Sequence, residues 1–103
     1  MLVAFSVAPS GADESGSVHI AVAEAVRIVR ESGLPNHTDS MFTTIEGEWT
    51  EVFDVIRRAT EAVGRYGSRV SLVLKADIRP GYSGQLTAKV ERVEKALAED
   101  IGN

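Results

Sequence analysis

Residues 41–49, Met41-Phe42-Thr43-Thr44-Ile45-Glu46-Gly47-Glu48-Trp49, decide how this chain is read. From Met41 to Glu46, Met41, Thr43 and Ile45 alternate with Phe42, Thr44 and Glu46, and the β-branched and aromatic residues favour a strand. Gly47 ends that strand, and three-and-four spacing of apolar residues begins at Trp49. A carboxylate and two threonine hydroxyls therefore lie among apolar neighbours where a strand passes into a helix. A candidate site and a structural junction coincide.

Downstream, the helix after Gly47 is expected to turn Trp49, Val52, Phe53, Ile56, Ala59, Val63 and Tyr66 inward, with Glu51, Asp54, Arg57, Arg58 and Glu61 largely outward. Gly67 closes it. Residues 70–78 read as a strand with Val70, Leu72, Leu74, Ala76 and Ile78 on one face and Ser71, Val73, Lys75 and Asp77 on the other. Pro80-Gly81-Tyr82-Ser83-Gly84 is turn chemistry, and a last helix from about Gln85 to Asp100 carries a narrow apolar stripe, Leu86, Val90, Val93 and Leu97.

Upstream, residues 2–7 alternate but are apolar on both faces, the pattern of a central strand. Residues 8–17 form a polar loop, and Ser17 is placed to cap the first helix, which runs to about Ser32 with Val18, Val22, Ala25, Val26 and Val29 inward. Gly33 stops it. Residues 36–40 read as a short edge strand of low hydrophobicity, and no strong turn signal separates it from Met41.

The order strand, helix, strand, strand, helix, strand, helix specifies an α+β fold. It is a ferredoxin-like βαββαβ sandwich with an antiparallel sheet and an additional C-terminal helix, expected to be one domain over residues 1–103. Two helices cover one sheet face. The other, with Leu2, Ala4, Ser6, Val73, Lys75 and Asp77, is too apolar to lie wholly in water, so the third helix or a second subunit is expected to cover it.

With a net charge of -4 and a pI near 5.1, the chain lacks the basic footprint of a nucleic-acid binder. No stretch approaches the ~20 apolar residues of a membrane span. The absence of cysteine fits a reducing compartment, with the cytoplasm as the expected location. His19 and His37 lack metal-ligand spacing, so no metal is expected. Glu46 with Glu48 could form an acid–base pair, but neither a histidine partner nor a nucleophile accompanies them, so no catalytic residues are assigned. Gly11, Gly16 and the neighbouring serines could cradle an anion, although no phosphate-binding fingerprint surrounds them.

The motifs Ser6-Val7-Ala8-Pro9, Ser17-Val18, Glu31-Ser32-Gly33-Leu34, the whole of residues 41–49, Arg69 and Lys75-Ala76-Asp77-Ile78-Arg79 together resemble the thiamine-binding-protein family of small ferredoxin-like proteins. The match runs nearly end to end, and Thr-Thr-Ile-Glu-Gly-Glu-Trp is its most specific part. Two positions depart from the family pattern: Phe42 stands where glycine is common, and Ile78 where an acidic residue is common. The resemblance implies a non-catalytic, cytoplasmic protein, without cofactor, that binds thiamine or its hydroxymethylpyrimidine portion near the open sheet face of a homodimer or homotetramer.

An aminopyrimidine joined to a cationic thiazolium calls for a carboxylate, hydroxyls and aromatic or thioether walls. The expected ligand-binding residues are Ser6, Pro9, Ser17, Met41, Phe42, Thr43 and Glu46, centred on Ser6, Thr43 and Glu46 with the loop from Pro9 to Ser17 as a rim. Val73, Lys75 and Asp77 are expected to contact ligand or a subunit. Glu46 could instead cap the following helix or pair with Arg69 or Lys75, and Trp49 reads as a core anchor. The competing reading is a regulatory or interaction domain whose sheet face serves only oligomerisation.

Overall fold

The computed structural model describes residues 1–10 and 17–102, with side chains described for 1–10 and 18–99. Strand β1 (Leu2–Ser10) is followed by α1 (Ser17–Glu31), β2 (Asn36–Thr38), β3 (Thr43–Glu46), α2 (Trp49–Val63), a short 3-10 turn (Gly64–Tyr66), β4 (Arg69–Asp77) and α3 (Gln85–Gly102). The strands form one antiparallel sheet in the order β2-β3-β1-β4, the ferredoxin-like topology with a helix appended.

Alternation along β1 sorts the two faces. Val3, Phe5 and Val7 point into the core, where they meet Ala21, Ala25 and Val29 of α1 and Val52, Val55, Ile56, Ala59 and Val63 of α2. Ile45, opposite Val3, is fully buried. Burying a side chain of this size contributes roughly 1.5–3 kcal/mol, so residues 3–7 and 45 carry much of the sandwich. The even residues, Leu2, Ala4, Ser6 and Ala8, lie on the face away from both helices, paired with Asp77, Lys75, Val73 and Ser71.

Several helix faces differ from the sequence expectation. In α1 the buried stripe is Ala21, Ala25 and Val29, with Val22 exposed. A short alanine fits close against the sheet, which rotates the helix relative to a reading that favours the larger valines. In α2, Val55 and Ala62 are buried, whereas Trp49 is 56% exposed. Trp49 is therefore not a core anchor. It lies in the first turn, beyond the reach of the core, and stacks on Phe53 with ring centroids 5.2 Å apart.

Two glycines have backbone reasons. Gly33 has φ of 80°, the left-handed geometry that ends α1. A Cβ on Gly47 would lie 3.0 Å from the Val52 side chain, and its backbone N–H donates to the Met1 carbonyl at 3.1 Å. The Val52 and Leu34 side chains thus leave little room for a side chain at the hinge of the 41–49 stretch, which favours glycine there.

Helix α3 does not fold back over the open sheet face. Its main packing is against β3. Nine-residue strands span roughly 30 Å, yet the molecule measures 55 × 30 × 20 Å, because an 18-residue helix of roughly 27 Å projects from the body. Val90, Val93 and Leu97 remain 51–60% exposed. Val73, on the open face, is 57% exposed.

Candidate functional site

Strand β3 is only four residues long, while β1 has nine. Their pairing stops at Phe5 opposite Thr43, but β1 continues to Ser10 along β4. Beyond Phe5 the sheet therefore has a step, and one edge of β1 is not covered by β3. Residues of a strand direct their backbone N–H and C=O alternately to either side, so the step presents main-chain donors and acceptors. A cleft of about 210 Å³ fills it, lined by Ser6, Ala8, Val22, Asp39, Phe42 and Thr43 among others.

The outer wall is the turn between β2 and β3. Asp39 Oδ1 accepts from the backbone N–H groups of Met41 at 2.8 Å and Phe42 at 2.9 Å, and the Asp39 N–H donates to the Phe42 carbonyl at 2.9 Å. This self-bonded aspartate makes the turn that the sequence marks weakly. Those amides, Phe42's first, hold the Asp39 carboxyl below its usual value of 3.8, so it stays ionised. Both bonds use Oδ1, which leaves Oδ2 for another partner. Thr43 is 7% exposed, and its hydroxyl lies 3.3 Å from that of Thr38.

The cleft brings together Ser6, Met41, Phe42 and Thr43 from the expected set. Met41 and Phe42 belong to the turn rather than to β3, which begins only at Thr43, so alternation does not separate them from Thr43; Ser6, on the sheet face away from the helices, borders the cleft at the bare edge of β1. Asp39 was not singled out by sequence reasoning. The signal was an Asx residue three positions before Phe42, between two short strands. Pro9 is buried in β1, paired with Val70. The anion cradle and most of the rim loop, residues 11–16, lie outside the described residues, as does the side chain of Ser17, where α1 begins.

Glu46 lies at the other end of β3 and is 6% exposed. It does not cap the following helix, since Glu48 precedes α2 and its N–H donates to the Glu51 carboxylate at 3.3 Å. Nor does it pair with Arg69 or Lys75. Its Oε2 accepts from the Gln85 backbone N–H at 2.9 Å and its Oε1 from that of Leu86 at 3.2 Å. A carboxylate on the free amides of a helix N-terminus satisfies orphan donors and opposes the helix dipole, an effect of up to ~2 kcal/mol when partly buried.

Around this junction Lys89 of α3 pairs with Asp77 of β4, which holds the Asp77 carboxyl below its ordinary range. The Arg79 guanidinium sits 3.6 Å from the centre of the Tyr82 ring. These groups and Arg92 line a second, smaller cleft of about 140 Å³. Lys75 and Val73 lie exposed on the open face. Among the described residues no group of three or more His, Asp or Glu side chains is arranged to hold a metal, and no helix is long and apolar enough to cross a membrane.

Comparison with known proteins gives a consistent result. A family model described as thiamine-binding protein matches residues 3–94. A UPF0045 protein of Mycobacterium bovis is 54% identical over 98 residues, covering 94% of each chain. Among solved structures, a hypothetical protein of Methanocaldococcus jannascii superposes with a TM-score of 0.79 at 25% identity, covering 90% of this chain and 94% of the other. A Thermotoga maritima protein provisionally assigned to thiamine biosynthesis or salvage gives 0.67 at 22% identity, covering 88% and 99%, and supports the fold alone.

Proposed function

The chain belongs to the thiamine-binding protein family, and from that premise we propose that it is a non-catalytic, single-domain cytoplasmic module that binds thiamine or its hydroxymethylpyrimidine portion as a homo-oligomer. The observation that carries the reading is the stepped cleft beyond Thr43, where a hydroxyl pair, an ionised carboxylate, an aromatic wall and a bare strand edge meet.

Its size favours the pyrimidine half. At about 210 Å³ it falls below the roughly 300–1,000 Å³ of a usual ligand cleft, which suits one heteroaromatic ring with the rest of the molecule at the mouth. The bare β1 edge around Ser6 would read the ring's donors and acceptors. Phe42 and Met41 would flank it, with Thr43 supporting the floor. Asp39 Oδ2 would face the thiazolium charge. Phe42, in place of the common glycine, narrows the entrance. Glu46, with both oxygens engaged by α3, acts outside this cleft.

Isothermal titration with thiamine and with hydroxymethylpyrimidine tests the reading. Both are expected to bind, and Asp39→Asn, which keeps an oxygen for the turn but removes its charge, is expected to weaken thiamine at least tenfold and the neutral pyrimidine much less. No heat from either ligand at millimolar concentration would refute it.

A further inference from the structure

The run Arg79-Pro80-Gly81-Tyr82 builds a turn that also presents a cation. Proline fixes the backbone at the second position, and Gly81, with φ of 82°, suits the third, so the Tyr82 N–H closes a type II turn onto the Arg79 carbonyl at 3.2 Å. The first and fourth residues of such a turn stand side by side. The Arg79 guanidinium accordingly lies 3.6 Å from the centre of the Tyr82 ring. The ring occupies its flat face and leaves the N–H groups on its rim for another partner.

Arg92, which lines the same small cleft from α3, is also held in place. Gln85 Nε2 donates to the Ser83 carbonyl at 3.0 Å, and Gln85 Oε1 accepts from Arg92 Nη2 at 3.1 Å. This uses one of the guanidinium's five donors. The close ion pair in the cleft joins Lys89 to Asp77 and includes neither arginine.

We propose that Arg79 and Arg92 form a binding site for a phosphate group, free or carried by a small phosphomonoester, at the end of β3 opposite the cleft beyond Thr43. The site stands whether or not that other cleft takes thiamine. Two arginine forks suit a tetrahedral oxyanion, which can accept from both at once.

The two carboxylates that share the cleft do not cancel this attraction. Glu46 is buried with both oxygens on the Gln85 and Leu86 amides, so its charge is spent on the helix start. Asp77 is paired with Lys89 and lies in the fields of Arg79 and Lys75 as well. Three side-chain cations therefore line the cleft against two carboxylates that are already engaged. A phosphomonoester carries a charge of about -1.5 to -2 at pH 7, whereas a carboxylate brings only one charge to two arginines. At about 140 Å³ the cleft admits one such group and leaves the rest of a ligand outside. Polyanions are disfavoured, because the whole chain carries a net charge of -4.

Titration of the full chain with inorganic phosphate, glycerol phosphate and acetate, followed by the Nε–H signals of Arg79 and Arg92, tests the site. Saturable shifts with phosphate or its ester, and much weaker binding of acetate, are expected; the tighter of the first two identifies the source. Arg79→Gln and Arg92→Gln should each weaken binding at least tenfold, the loss of a charge-assisted hydrogen bond. Arg30→Gln, which removes an exposed cation from α1, should leave it unchanged. Tyr82 is a positioning residue: Tyr82→Leu should weaken binding severalfold, and Tyr82→Phe, which keeps the ring, should restore it. No shift with either phosphate at millimolar concentration would overturn the site. So would acetate binding as tightly as phosphate, or an equal loss from Arg30→Gln, since both would show attraction to charge in general. Thiamine binding should survive Arg79→Gln, and its loss there would show that the two clefts are not separate sites.

Discussion

The two ends of β3 hold carboxylates in opposite conditions. Beyond Thr43, Asp39 uses one oxygen to shape its own turn and keeps the other at the mouth of a cleft. At the far end Glu46 is buried, and each of its oxygens already accepts a backbone N–H from α3. The difference teaches what makes an acidic residue available. A carboxylate that keeps one oxygen at the surface can meet a cation, whereas one buried with both oxygens on the amides of a helix start is a fastening, whatever motif it belongs to.

The severest way to break this contrast is to remove what the two ends share. Ile45 lies between them, fully buried, and Ile45→Ala is expected to cost about 2–5 kcal/mol in denaturant unfolding. Affinity for the ligand at one end and for phosphate at the other should fall together. Loss of only one would show that the ends are supported independently of β3.

Acid offers a finer distinction. Asp39 and Asp77 both have folded-state values below 3.8, held there by the Phe42 and Met41 amides and by Lys89 respectively. The stability they contribute is therefore fully present above about pH 4 and is lost as pH falls through those lower values. Amide signals of Met41 and Phe42 should titrate with a midpoint below 3.8. Added salt should screen the exposed Lys89–Asp77 pair while leaving the Asp39 turn, which rests on backbone donors, nearly untouched. A midpoint at or above 3.8 for the turn amides would remove Asp39 as its organiser.

The smallest expected effect belongs to Trp49. Its ring stacks on Phe53 but is more than half exposed, so Trp49→Ala should cost only about 0.5–1.5 kcal/mol and leave both ends of β3 unchanged. A loss of affinity for either ligand or phosphate would show that the motif's tryptophan acts beyond its own helix turn.

These outcomes bear on how much could be read without coordinates. Strand order, the helix count and the apolar alternation of β1 follow from periodicity, which is local. The rotation of α1 onto Ala21 does not, because periodicity cannot weigh a small residue that fits against one that is merely apolar. Ser6, Met41, Phe42 and Thr43 were legible as candidates. Their meeting place was not, since it depends on β1 outlasting β3, a property of two strands separated in sequence by the whole of α1 and β2. Glu46 was legible as special, but its partners lie about forty residues away in α3. The partners that the sequence suggests for it are Glu48, the start of α2, Arg69 and Lys75.

The pairing of β1 with β4, Leu2 opposite Asp77 through Ser10 opposite Arg69, also sets a schedule for the nascent chain. Synthesis runs at roughly 5–20 residues per second. The first strand made must therefore wait several seconds, with Val3, Phe5 and Val7 available to other chains, until its neighbour on that side exists. Contacts this distant in sequence also favour slower folding than a helical protein of equal length would show. The strand whose overhang opens the cleft is thus also the segment most dependent on protection during synthesis.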